Sequence, residues 1–278
     1  MLGARIAMGL GDRFEVLRTS RRAVGGPGIM HFDLRLGSLE DLLKIDPDVV
    51  LICAAVTNMR ACESDPAATR EVNVVSTVRL VHAFLDRGAT VIFLSSNTVF
   101  DGQTAWPDES ASYAPANEYG RQKAEAEQRM REHRNADSAL SIVRLSKVVT
   151  GRSGVALTFA EAFKAGRVCE AFGDVRLCPV SPCYLVSGLS IIATGHHSGI
   201  FHLSGADEMT YADFARRLAA AQGADEALVR PISSSESGTQ VIFRPEFPGL
   251  GMRTTSKLLG VQPEPVDHVV RALLAHDL

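Results

Sequence analysis

The sequence has no long apolar run, no marked excess of charge of either sign and little cysteine. Its longest hydrophobic stretch, around Val49–Val56, is strand-length and far short of the ~20 residues that a membrane-spanning helix needs. No basic segment leads into an apolar one, which argues against a secretory signal. A net charge of −3 gives no pull toward nucleic acid or an anionic membrane. Cys53, Cys62, Cys169, Cys178 and Cys183 are odd in number and contain no Cys-x-x-Cys pair. They argue against a zinc site or a disulfide framework and read as the reduced thiols of a cytoplasmic protein. His196 and His197 are adjacent, so on a helix they point apart and read as a polar helix end rather than a metal pair.

The 278 residues, 46% hydrophobic and 22% charged, suit one large α/β domain or a domain with a smaller lobe. In the first half, strand and helix patterns alternate. "MLGARIAMGL" (1–10) reads as the first turns of a helix and "FEVLRTS" (14–20) as a strand; "DVVLICAA" (48–55) and "TVIFLSS" (90–96) read as strands buried on both faces. Asp65-Pro66 is a helix start, and Val72, Val75, Val78, Val81 and Leu85 recur at helical spacing after it. Residues 117–133 form a helix and 139–145 a strand. This order predicts a doubly wound, parallel Rossmann-type sheet over 1–150. Beyond Gly151, helices are expected at 155–165, 184–195, 210–222 and 265–276, with strands near 168–172 and 199–204. The proline-broken region 151–278 is read mainly as a smaller α+β substrate lobe, with 199–222 returning to the first domain.

The chemistry concentrates in "EYGRQK". Tyr119 and Lys123 lie one turn apart on one helix face. An ammonium near a phenol favours the phenolate, lowering the tyrosine pKa from ~10 and making Tyr119 a proton donor to a carbonyl oxygen. Ser96 closes a buried strand 23 residues earlier. There it can donate to an oxygen that gains negative charge, or simply shape a turn.

With these residues in place, the chain resembles the extended short-chain dehydrogenase/reductases, and within them the branch of the dTDP-4-dehydrorhamnose reductases. The resemblance rests on "VVLICAAVTNMRACESDP", "EVNVVSTVRL", "LSSNTVFDG", "YAPANEYGRQKAEAE", "GIFHLSG" and "RPEFPGLGMRTTSKLLG". It implies an oxidoreductase that reduces a 4-keto-6-deoxy sugar nucleotide with NADPH. Ser96, Tyr119 and Lys123 would be catalytic, and Lys123 would also hold the nicotinamide ribose. Gly3, Ala54, Ala55 and Val56 would line the cofactor, and Asp33 and Leu34 would flank its adenine. Ser20, Arg21 and Arg22 would lie at the adenosine ribose, where arginine favours the 2′-phosphate of NADP over NAD. Asn97 and Thr98, standing where relatives carry an Asp-Tyr pair, would meet the sugar. Lys147 and Arg253 are further candidates for the substrate, or are simply exposed. The resemblance leaves two other readings open, a non-catalytic NADP-binding regulator like the methionine adenosyltransferase β subunit, and a nucleotide-sugar epimerase. A homodimer is compatible with it.

Met1-Leu2-Gly3 matches the end of the family's Gly-x-x-Gly-x-x-Gly segment, making Gly3 its third glycine. The strand and the two glycines that precede it in the family have no counterpart here. The expectation is therefore a natural polypeptide starting roughly 10–15 residues upstream, one strand and a turn. As it stands, the chain should have no strand before residue 14, should place its α-amino group near the pyrophosphate position, and should bind NADPH poorly or not at all. A true start with a rearranged sheet is the alternative.

Overall fold

The computed structural model describes residues 2–22, 28–132, 139–151 and 154–276. The first half runs α1 (Leu2–Leu10), β1 (Arg18–Ser20), β2 (Ile29–His31), α2 (Leu39–Leu43), β3 (Val49–Ile52), α3 (Met59–Ser64), α4 (Pro66–Arg70), α5 (Thr77–Leu85), β4 (Thr90–Ser96), α6 (Glu118–Arg131) and β5 (Leu140–Leu145). The second half runs β6 (Lys147–Val148), α7 (Val155–Lys164), β7 (Cys169–Phe172), β8 (Arg176–Leu177), β9 (Pro179–Val180), α8 (Pro182–Thr194), β10 (Gly199–Leu203), β11 (Met209–Thr210), α9 (Tyr211–Ala221), β12 (Val229–Ile232), α10 (Arg253–Leu259) and α11 (Val266–His276).

Two compact units interleave along the chain instead of meeting at residue 150. One comprises 1–100, 113–144 and 186–201, the other 101–112, 145–185 and 202–278. The return to the first unit is thus made by residues 186–201, because β10 adds to the sheet edge beside β5. Helix α9, expected to return as well, packs in the second unit with α7 and α11 around Phe159, Phe214, Leu218 and Val269. The spacing Thr210-x-x-Asp213 is that of a capping box with Asp in place of Glu, and Thr210 does cap α9: its hydroxyl accepts the Asp213 N–H at 3.1 Å and donates to the Asp213 carboxylate at 2.7 Å.

The first unit is an α/β fold on a four-stranded sheet of order β10-β5-β4-β3, in which β3 and β4 are parallel. β4 is the expected central strand, buried from Thr90 to Ser95. Phe93 and Val91 on it join Val74, Val81, Leu85 and Met130 in one apolar core. β1 and β2 form a separate parallel pair, Arg18 opposite Ile29. Among the described residues no strand joins β1 to β3, and none precedes Arg18. Met1, whose amino group carried an expectation, lies outside the described residues, as does His133.

This split corrects two sequence expectations. β3 is half-buried at Val49, Val50 and Leu51 rather than enclosed on both faces, because β4 is its one strand neighbour among the described residues. Only the last three residues of 14–20 form a strand. Phe14 instead donates its N–H to Leu10 O at 3.0 Å, continuing the end of α1, and β1 extends only as far as β2 pairs with it. The helix expected from Pro66 onward is also modified. Glu71–Ser76 is a π-helical turn between α4 and α5, and its wider turn brings Asn73 and Val74 inward while Val72 and Val75 stay half-buried.

A short, half-exposed strand pair opens more readily than a buried sheet centre. Amide hydrogen exchange should therefore protect Val91–Leu94 roughly 100-fold or more longer than Thr19 and Ser20. Equal protection would show that the two sheet pieces open as one cooperative unit.

Candidate active site

The site is assembled where β4 ends and α6 begins. Ser96, in extended backbone, accepts the Thr98 N–H on its Oγ at 3.2 Å and donates to Asn97 Oδ1 at 3.4 Å, shaping a 3₁₀ turn over Asn97–Val99. Asn117 caps α6, its Oδ1 accepting the Gly120 N–H at 2.9 Å. Gly120 lies against the turn so closely that a Cβ would stand 2.1 Å from Thr98 O and 3.2 Å from Pro115 Cβ. Only glycine permits this approach, which sets Tyr119 beside the strand end that carries Ser96.

Tyr119 is 7% and Lys123 3% exposed. The Lys123 ammonium donates to Leu94 O at 2.8 Å, lies 4.2 Å from the Phe93 ring centre and 5.9 Å from that of Tyr119. Burial lowers the Lys123 pKa to about 8, opposed by the charge of Glu127. The expectation for Tyr119 is reversed: burial raises its pKa above the ordinary phenol value, and Lys123 does not offset it. The lysine spends its charge on the Leu94 carbonyl and the ring of Phe93. In this state Tyr119 is held as a neutral phenol, the form that can give up a proton.

The other expected residues are distributed as follows. Gly3 abuts β3's exit, a Cβ there lying 3.4 Å from Cys53 Cβ. Ala54 is exposed, Ala55 and Val56 half-buried in the turn after β3. Ser20 ends β1 and its Oγ accepts the Arg22 N–H at 3.2 Å; Arg21 and Arg22 are exposed. Asp33 lines a cavity of about 400 Å³ with Met30, His31, Phe32 and Leu36, while Leu34 packs against the apolar core. Asn97 is half-buried; Thr98 is 2% exposed and its Oγ1 has no hydrogen-bond partner among the described residues. In the second unit Lys147 is exposed on β6, which pairs with β9, and Arg253 is the exposed first residue of α10.

Two buried amides escaped the sequence reading. Asn73 Oδ1 accepts the Val56 N–H at 2.7 Å, and its Nδ2 donates to Val56 O at 3.0 Å and to Gln122 Oε1 at 2.8 Å. Gln122 Nε2 in turn donates to Thr69 Oγ1 at 3.0 Å. This network ties the Ala54–Val56 turn to the residue preceding Lys123. The available signal was Asn73 itself, an amide amid four valines of a helical segment, but a regular helical period points Val72 inward instead.

Against this geometry the comparisons are specific. The family model described as the RmlD substrate binding domain matches residues 23–278. The chain belongs to this family. Among its relatives, the probable low-salt glycan biosynthesis reductase of Haloferax volcanii is 30% identical over 69% of this chain and 65% of its own length. The dTDP-4-keto-6-deoxy-D-glucose reductase of Streptomyces niveus is 31% identical over 74% of this chain and 71% of its own. The chain thus spans about two thirds of the curated relatives it matches, slightly less for the Haloferax protein. In three dimensions it resembles the dTDP-4-dehydrorhamnose reductase of Bacillus anthracis, solved with NADP, at a TM-score of 0.77 and 20% identity over 93% of this chain and 98% of that one. The RmlD-family chain therefore has the Rossmann-type fold of these reductases.

The buried lysine has a stability signature. A lysine pKa lowered from 10.5 to about 8 means that the folded state binds fewer protons than the unfolded one between those values. Stability should therefore rise with pH across this window, by up to about 3 kcal/mol. Measured by urea unfolding, the difference between wild type and Lys123→Met should shift in favour of wild type by that order between pH 7 and 10.5. A pH-independent difference would place the lysine in solvent.

Proposed function

We propose that the protein is an NADPH-dependent reductase of a 4-keto-6-deoxy sugar nucleotide, acting in the cytoplasm where its five cysteines would stay reduced. The observation that carries this reading is the buried Tyr119–Lys123 pair set by Gly120 against the turn after Ser96. The names of the relatives supply the carbonyl substrate class.

The residues present suit a nicotinamide dinucleotide. Gly3 leaves room beside Cys53 for close helix–strand packing, the turn at Val56 is pinned by Asn73, and two exposed arginines follow β1. Arg21 and Arg22, with Ser20, would take the ribose phosphate; Ala54–Val56 would border the pyrophosphate side, and Asp33 and Leu34 the adenine. When bound, the reduced nicotinamide supplies the hydride. The protein's part is protonic and electrostatic. Tyr119 donates its phenolic proton to the carbonyl oxygen as carbon takes the hydride. Ser96 donates a hydrogen bond to that oxygen while charge builds on it. Lys123, one turn further along the same helix face, would hold the cofactor ribose. Asn97 and Thr98, whose hydroxyl has no hydrogen-bond partner among the described residues, would meet the sugar; in the second unit Lys147 is a candidate for substrate contact and Arg253 for the diphosphate.

Followed at the nicotinamide band with dTDP-4-keto-6-deoxyglucose and saturating NADPH, Tyr119→Phe should lower kcat by roughly 10²–10⁴ with little change in stability. Undiminished turnover would remove Tyr119 from the chemistry. A binding-only regulator would show no turnover in the unsubstituted chain and would need a partner protein for any effect.

Replacing Arg21 and Arg22 together by Ala should weaken NADPH binding about tenfold or more while leaving NADH binding nearly unchanged, as expected for loss of charge-assisted bonds to a phosphate. Equal losses for both cofactors would show that the arginines do not read the 2′-phosphate.

A further inference from the structure

The stripe of α6 that carries Tyr119 and Lys123 continues, four residues on, to Glu127. Its side chain is fully enclosed, and hydrogen-bond donors from three other segments converge on it. Ser95, the neighbour of Ser96 on β4, donates its hydroxyl to Oε1. Tyr113, in the segment leading to α6, donates to Oε2 at 3.0 Å. Arg144, next to last in β5, donates to Oε2 through Nε at 3.0 Å and Nη2 at 2.8 Å. Arg144 is itself 1% exposed, and its guanidinium lies 5.1 Å from the ring centres of both Phe100 and Tyr113.

A buried ion pair is a poor stabiliser, since apolar residues of similar shape often serve the fold as well. What this one does is geometric. A single carboxylate fixes the ends of β4 and β5 and the approach to α6 to the helix that presents Tyr119. We infer that Glu127 is a positioning residue for the reduction: it locks the Ser95–Ser96 strand end against α6 and supplies the negative charge that balances the Lys123 ammonium. The inference rests on the assignment of Ser96, Tyr119 and Lys123 proposed above.

Among the described residues, the groups facing Lys123 come from three elements. From α6 come Glu127 and the neutral phenol of Tyr119, from β4 the Leu94 carbonyl and the Phe93 ring, and from the exit of β3 the Cys53 thiol. Burial pushes the Cys53 thiol up to about 12, so near neutrality it is uncharged and Glu127 is the anion that acts on the lysine. Without it, the one charge that opposes burial would be lost and the Lys123 proton would leave at lower pH.

The test reads Lys123 directly. In protein labelled with ¹³Cε-lysine, the Lys123 resonance, assigned by its loss in Lys123→Met, should titrate near pH 8 in the unsubstituted chain. In Glu127→Gln the midpoint should fall by roughly half a unit or more, and kcat at saturating NADPH by about tenfold or more. Ser95→Ala should lower kcat and leave the titration where it was, because it cuts the strand tie and keeps the charge. If Glu127→Gln does not fold, the apolar pair Glu127→Met with Arg144→Leu removes both charges at once. The titration should still move down, because the anion that opposes burial at Lys123 is gone. An unmoved midpoint in the folded variant, while Tyr119→Phe abolishes turnover, overturns the inference alone. Undiminished turnover in Tyr119→Phe overturns the reading beneath it.

Discussion

The contact between Gly120 and the Thr98 carbonyl sets the geometry on which the candidate site depends. A side chain at residue 120 would occupy the same space as the backbone of the turn after β4, at 2.1 Å from Thr98 O. With glycine there, the first turn of α6 lies on that turn, Asn117 caps the helix from the same segment, and Tyr119 reaches the level at which β4 delivers Ser96. The helical period then does the rest: Lys123 follows one turn deeper against Leu94 and Phe93, and Glu127 another turn deeper among Ser95, Tyr113 and Arg144. One close approach therefore orders three ionisable groups by depth.

Depth has an electrostatic consequence. Burial raises the pKa of Tyr119 and lowers that of Lys123, so both groups favour their neutral forms more than they would in water. The shift brings Lys123 toward neutral pH and moves Tyr119 away from it, so burial pushes the two pKa values apart. A solvated helix face, the ordinary reading of a Tyr-x-x-x-Lys spacing, would show neither the burial nor the shifts.

Much of this was legible in the sequence because it is local. The spacing of Tyr119 and Lys123, the strand 90–96 and the cap at Thr210 follow from periodicity and short-range hydrogen bonding, and the structure carries them with little change. The features that were missed are those in which distant segments compete for one group. Whether Lys123 lowers the pKa of Tyr119 depends on where its ammonium goes, and Leu94, from β4, takes it. The π-helical turn rotates Asn73 inward toward Val56, which no regular period anticipates. The short β1 and half-buried β3 likewise reflect which strands find neighbours, a property of the whole sheet rather than of seven apolar letters.

The central claim is that this site moves a hydride to a sugar carbonyl while Tyr119 supplies the proton. It is tested most directly by isotope transfer. The protein would be incubated with NADPH deuterated on the transferred face of nicotinamide C4 and with dTDP-4-keto-6-deoxyglucose, and the sugar product read by mass spectrometry and NMR. The account predicts one deuterium, bonded to the sugar C4 carbon, per NADPH oxidised. Product without deuterium at C4, or cofactor oxidation without reduced sugar, would contradict it.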